Sequence, residues 1–108
     1  MYDTGGHIDI ILLKVISVND CYGYNIYKTI TDITDHGFEI KEATLYSGLR
    51  RLEAEQLITS YWGDETQGGR RKYYAITAKG IQYLNESIEK WRQTKHVMEK
   101  IIAYNNER

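Results

Sequence analysis

The chain has 108 residues, enough for one domain and too few for a second core, and its 42% hydrophobic and 27% charged residues are an ordinary globular balance. The net charge of −1 decides nothing about partners by itself, and the single cysteine, Cys21, excludes a disulfide framework and reads as a small half-buried core residue rather than a reactive thiol. No apolar run reaches membrane-spanning length and the acidic start MYDTGGHIDI carries no basic leader, so a cytoplasmic protein is expected.

Residues 8–18, IDIILLKVISV, are apolar almost all round. The β-branched content suits a strand, but the length favours a buried helix. Asn19, Asp20 and Gly23 then predict a turn. Over residues 24–35, Ile26, Ile30 and Ile33 recur at i, i+4 and i+7, the signature of an amphipathic helix. Gly37 is placed to end that helix in a left-handed cap.

Residues 42–56 repeat the helical spacing with Leu45, Leu49 and Leu52. At about 100° per residue, the opposite face carries Ala43, Ser47, Arg50 and Ala54, with Arg51 on its flank. Gly48, near the buried side, predicts close approach of another helix. Beyond residue 57 the period changes to two, with Ile58, Ser60 and Trp62 alternating with Thr59 and Tyr61. KYYAI follows after the glycine-bearing loop from Gly63 to Arg71, so two antiparallel strands joined by a projecting loop are predicted. Tyr73 and Tyr74 must face opposite ways, and only one can be core. Thr77 is an N-cap for a last helix running to about Asn105. Its stripe of Ile81, Leu84, Ile88, Trp91, Met98, Ile101 and Ile102 is too long for one small domain to cover. A second copy is implied, with Leu84, Ile88, Trp91, Met98, Ile101 and Ile102 at the dimer interface.

Three helices, a hairpin and a long helix make an α+β, mainly α, winged helix-turn-helix: residues 1–76 form the DNA-binding region and residues 77–108 the C-terminal dimerisation helix, in a single domain. The charge distribution agrees. Residues 1–40 hold two bases against six acids, whereas residues 41–79 hold seven against five, so the basic excess sits on the third helix and the hairpin. Small side chains let a helix approach base edges in the major groove, and arginines beside it reach phosphates. The candidate DNA contacts are Ala43, Thr44, Tyr46, Ser47, Arg50 and Arg51 on the helix and Arg70, Arg71 and Lys72 on the hairpin. Tyr46 lies on the helix flank, where its hydroxyl could meet a phosphate or the ring could only brace the turn.

The runs ATLYSGLRRLEAEQLI and GGRRKYYAITAKG resemble the PadR family of bacterial transcriptional regulators, over essentially residues 8–102. SYWGDETQGGRRKYYAIT, with Trp91 in the last helix, is most similar to the family's short multidrug-sensing branch. The resemblance implies a homodimeric repressor on a two-fold operator of double-stranded DNA, released by a hydrophobic, planar aromatic effector, with no cofactor and no membrane partner. Trp91 is then a stacking plate, lined by Ile88, Lys95 and Ile8 or Leu12, although core packing alone also explains such a tryptophan. Unless Glu89 or Glu99 compensates it, Lys95 makes the local field favour a neutral or anionic aromatic. One departure counts against a left-handed exit from the third helix: Gln56 stands where the family usually has glycine.

Enzyme chemistry and metal binding find no constellation. Gly63 and Gly68 have phosphate-loop spacing, but Gly69-Arg70 replaces the required Lys-Ser/Thr and a strand follows instead of a helix. His7, His36 and His96 are isolated, with no metal-ligand spacing. A winged-helix protein-interaction module without DNA binding is the alternative reading.

Overall fold

The structure is a computed structural model that describes residues 7–64 and 69–106. Chain order is α1 (Ile8–Val18), β1 (Cys21–Tyr22), α2 (Gly23–Ile33), α3 (Glu42–Ala54), β2 (Ile58–Trp62), β3 (Lys72–Ile76) and α4 (Ala78–Ala103). This is the expected winged helix with a long last helix. The hairpin loop residues 65–68, including Gly68 of the rejected phosphate loop, lie outside the described residues. No helix among the described residues is long and apolar enough to cross a membrane.

The core forms where the predicted stripes meet. Leu12, Leu13 and Ile16 of α1, Ile26 and Ile30 of α2, and Leu45, Leu49 and Leu52 of α3 are all buried. Gly48 brings α3 against α1 as its position suggests, since a Cβ there would lie 2.7 Å from Leu12 Cδ1. Gly80 does the same for α4: a Cβ would sit 2.0 Å from the Leu57 carbonyl oxygen. The Thr77 hydroxyl caps α4 by accepting from Gly80 N at 2.9 Å, and it also donates to the Gln56 carbonyl at 2.8 Å. One threonine thus ties the start of α4 to the exit of α3.

Four local expectations are corrected. The turn at residues 19–23 contains a two-residue strand: β1 pairs antiparallel with β3, Cys21 opposite Tyr74 and Tyr22 opposite Tyr73, in a sheet ordered β1-β3-β2. So short a strand has no periodicity of its own and exists through its partner. The end of α2 is not capped by Gly37. The left-handed residues are Asp35 (φ 51°) and His36 (φ 63°), and His36 N donates to Thr31 O at 2.8 Å. Gln56, despite not being glycine, does adopt the left-handed conformation, with φ 63°. Its N–H donates to Glu53 O at 3.0 Å and the next, of Leu57, to Leu52 O at 2.9 Å, the paired bonds of a Schellman exit. Finally, α4 ends at Ala103, two residues before the expected Asn105.

Cys21 is more buried than expected, and that burial, with Asp20 beside it, pushes its thiol up to about 11. Tyr74 is the core member of the tyrosine pair, and Tyr73 lies on the other face. The first turns of α4 pack on α1, with Leu84 4% exposed and Ile88 half-buried against the core. From Glu89 onward every described residue is exposed.

Candidate nucleic-acid interface

Burial of Leu45, Leu49 and Leu52 turns Ala43, Thr44, Ser47, Arg50 and Ala54 of α3 outward, and all five are exposed. Tyr46 stands on the flank facing α2. A Cβ on Gly23 would meet its hydroxyl oxygen at 2.1 Å, so the ring braces the start of α2 and keeps α3 close to it. Arg50 lies one turn along from Tyr46 on the same side. The two, with Arg71 and Lys72 of the hairpin and Tyr22 and Tyr74 of the sheet, line a cleft of about 530 Å³ between α3 and the hairpin. Tyr74 floors this cleft, and burial pushes its phenol above the ordinary value.

The hairpin is stiffened by its aromatic face. Tyr61 stacks on Tyr73 with centroids 5.7 Å apart, and Tyr73 meets Tyr22 edge-on at 5.4 Å, one ring from each strand. The Arg71 guanidinium lies 4.7 Å from the Tyr22 ring centre and that of Arg70 5.9 Å from Trp62. Gly63 N donates to Arg71 O at 2.7 Å and closes the strand ends. The Tyr61 phenol donates to Asp20 at 2.6 Å, and that hydrogen bond to a carboxylate pushes it up to about 12. Lys72 Nζ stands 4.0 Å from Glu53, whose other oxygen accepts from Ser60 at 2.5 Å.

Arg51 is placed differently from Arg50. It lies on the flank facing α1, where its guanidinium donates to Asp9 Oδ1. That hydrogen bond and the Asp9 charge hold the Arg51 guanidinium above its ordinary value. Asp9 Oδ2 accepts from the Tyr83 hydroxyl of α4 at 3.4 Å. No local sequence signal pairs residues so far apart in the chain.

The residues expected to line an aromatic site do not share one cleft. Trp91 is 42% exposed, with Lys95 Nζ 5.7 Å from its ring centre. Both line a cleft of about 530 Å³ between α1 and α4, with His7, Asp9, Ile10 and Tyr83. Leu12 cannot line it, being wholly buried beneath Gly48, and Ile8 lines the neighbouring cleft between α1 and α3. Ile88 packs on the core. Leu84 is likewise taken up inside the subunit and has almost no surface left for a partner, which removes it from the expected dimer contacts. Met98, Ile101 and Ile102 remain exposed, Ile102 at 75%.

The sequence profile of the transcriptional regulator PadR-like family matches residues 12–86. A transcriptional regulator from Clostridium thermocellum is 45% identical and superposes with a TM-score of 0.84, over 90% of this chain and 94% of that one. The transcriptional regulator YqjI of Escherichia coli K12 is 31% identical over 98 residues, 91% of this chain and 44% of its own length. Bacillus subtilis PadR in complex with operator DNA superposes with a TM-score of 0.69 over 77% of this chain and 47% of that one, and at 20% identity the likeness is one of fold. The chain thus spans less than half the length of these last two proteins.

Proposed function

The chain belongs to the PadR-like family of transcriptional regulators, and from that premise we propose that it is a repressor that binds a two-fold operator as a homodimer and leaves it when a planar aromatic compound binds between the subunits. The observation that carries the DNA-binding part is the convergence of Arg50, Arg71 and Lys72 on one cleft beside the exposed small-residue face of α3. In this reading Ala43, Thr44 and Ser47 let α3 approach base edges in the major groove, and Arg50 contacts the phosphates beside it. Arg70, Arg71 and Lys72 follow the backbone. The fold likeness to Bacillus subtilis PadR, solved with operator DNA, supports this placement.

Residues 1–76 are the DNA-binding region in this proposal and residues 77–108 the dimerisation helix. The support is the exposed row of Val97, Met98, Ile101 and Ile102. Full burial of such side chains contributes about 1.5–3 kcal/mol each, and a second copy supplies the same row by symmetry. Trp91 lies on the same helix, so two copies near a two-fold axis would bracket a flat ligand. Lys90 and Lys95 beside it favour a neutral or anionic aromatic.

The test is selection of duplexes from a random pool by the purified protein, with and without a panel of planar aromatic compounds. Enrichment of an inverted repeat that the compounds abolish supports the proposal. Failure to enrich any sequence, together with no retention of random duplex at low salt, defeats the DNA-binding reading. Enrichment that no compound alters defeats the sensing part alone. A Trp62→Phe variant leaves Trp91 as the only tryptophan, so fluorescence quenching that vanishes in Trp91→Ala locates the ligand.

A further inference from the structure

The contrast between Arg50 and its neighbour carries an inference that rests on the DNA-binding reading and goes beyond it. Arg50 has no carboxylate partner among the described residues, whereas Arg51 is paired with Asp9 across two helices. We infer that Asp9 is an intramolecular decoy for the DNA backbone: it occupies the Arg51 guanidinium in the free protein and withholds one phosphate contact from α3.

The geometry supports competition rather than a purely structural tie. Arg51 shares its cleft with Ala43, Thr44 and Ser47, the side chains of the exposed face of α3, so its guanidinium lies at the rim of the surface that would meet DNA. Its side chain is 46% exposed and that of Asp9 23%. A pair this open to water adds little to folding. A phosphate presents the same fork of charged oxygens to a guanidinium as a carboxylate does, so it can replace Asp9 with little rearrangement of the arginine. Exchange leaves the Asp9 charge beside the incoming phosphate, which opposes binding further. Asp9 is held in place for this role by the first turn of α1 and by the Tyr83 hydroxyl on its other oxygen. The same carboxylate also lines the Trp91 cleft, so it stands between the two clefts of the subunit.

The experiment is a double-mutant cycle on the full chain: the parent, Asp9→Asn, Arg51→Ala and the double variant, each titrated with duplex DNA over a range of salt. Asp9→Asn is expected to bind several-fold tighter, with a salt slope steeper by about 0.9 for one added phosphate contact, so that its advantage shrinks about three-fold between about 50 and 200 mM salt. Arg51→Ala bares the Asp9 charge and so weakens the parent, and it erases the added salt slope in the Asp9→Asn background. Asp9→Ser, which also keeps a polar group at the start of α1, should reproduce the gain and covers a folding defect specific to asparagine. The inference is overturned if the parent binds duplex and both Asp9 variants bind equally or more weakly. It is also overturned if the steeper slope survives without Arg51, or if Asp9→Asn tightens binding with an unchanged slope, either of which would mark a simple change of net charge. Both of those outcomes leave DNA binding standing. Absence of duplex binding by the parent and both Asp9 variants defeats the two readings together.

Discussion

Gln56→Gly should stabilise this protein. Gln56 holds φ at 63°, a conformation that costs an L-residue about 1–2 kcal/mol because its Cβ crowds the following carbonyl. Glycine removes that cost but loosens the unfolded chain, which takes back about 0.4–1 kcal/mol. The surrounding bonds are all made by backbone atoms that glycine keeps. Gln56 N donates to Glu53 O, Leu57 N to Leu52 O, and the Gln56 carbonyl accepts from Thr77. The side chain is exposed, so no packing is lost. The net gain is about 0.5–1 kcal/mol, which for a domain near this size raises Tm by about 2–4 °C. Thermal and urea denaturation at one fixed protein concentration measure it, the fixed concentration removing any mass-action term from association. Glu55→Gly is the control: its φ of −86° suits any residue, so glycine there only adds unfolded-state entropy and should destabilise. A Gln56→Gly protein that melts at or below the parent temperature would refute the reasoning.

Replacing Arg71 or Lys72 with alanine should weaken operator and random duplex by similar factors and flatten the salt slope by about 1 per lost contact; a changed sequence preference at unchanged overall affinity would make the hairpin a base reader. If the chain dimerises as proposed, Ile102→Glu, at a position 75% exposed in the single chain, should raise the dimer dissociation constant at least ten-fold, about 1.4 kcal/mol, in sedimentation equilibrium, with the far-ultraviolet spectrum unchanged; an unaltered dimer would remove the distal α4 stripe from the interface. The Tyr61 phenol, pushed up to about 12 by its bond to Asp20, is favoured in its neutral form when folded. Its contribution is therefore fully present below about pH 10, the ordinary tyrosine value, and is lost as pH rises through about 12. The difference in phenolate absorbance between the parent and Tyr61→Phe should titrate near that upper value, and a midpoint at the ordinary value would break the assignment.

Which features were legible in the sequence follows from their range. The isoleucine and leucine rows of α2 and α3 repeat at a helical period within a dozen residues, and hydrophobic burial acts on that period wherever the helix docks. The alternation through Tyr73 and Tyr74 likewise sends one ring to each face of a strand by geometry alone. Arg50, Arg71 and Lys72 could be named as surface bases from the same patterns, because a base opposite a leucine row has nowhere to go but out. Their meeting in one cleft depends on the angle between α3 and the hairpin, which the braces from Tyr46 to Gly23 and from Thr77 to Gln56 set.

The amino-acid order by itself determined the winged-helix plan, the outward face of α3 and the N-cap of α4, since each rests on periodicity or on a side chain bonding three residues away. Only the tertiary structure decided the rest. β1 exists because β3, about fifty residues later, supplies its hydrogen bonds. Gln56 turns left-handed because two backbone bonds and the Thr77 hydroxyl outweigh its own preference. Leu84 was expected at a partner interface and Leu12 beside a ligand, yet both are closed off inside the subunit where α1 meets its neighbours. Arg51 and Asp9, 42 residues apart, meet only when α1 and α3 pack. In each case the deciding energy comes from groups distant in the chain, and no local pattern of residue types encodes their approach.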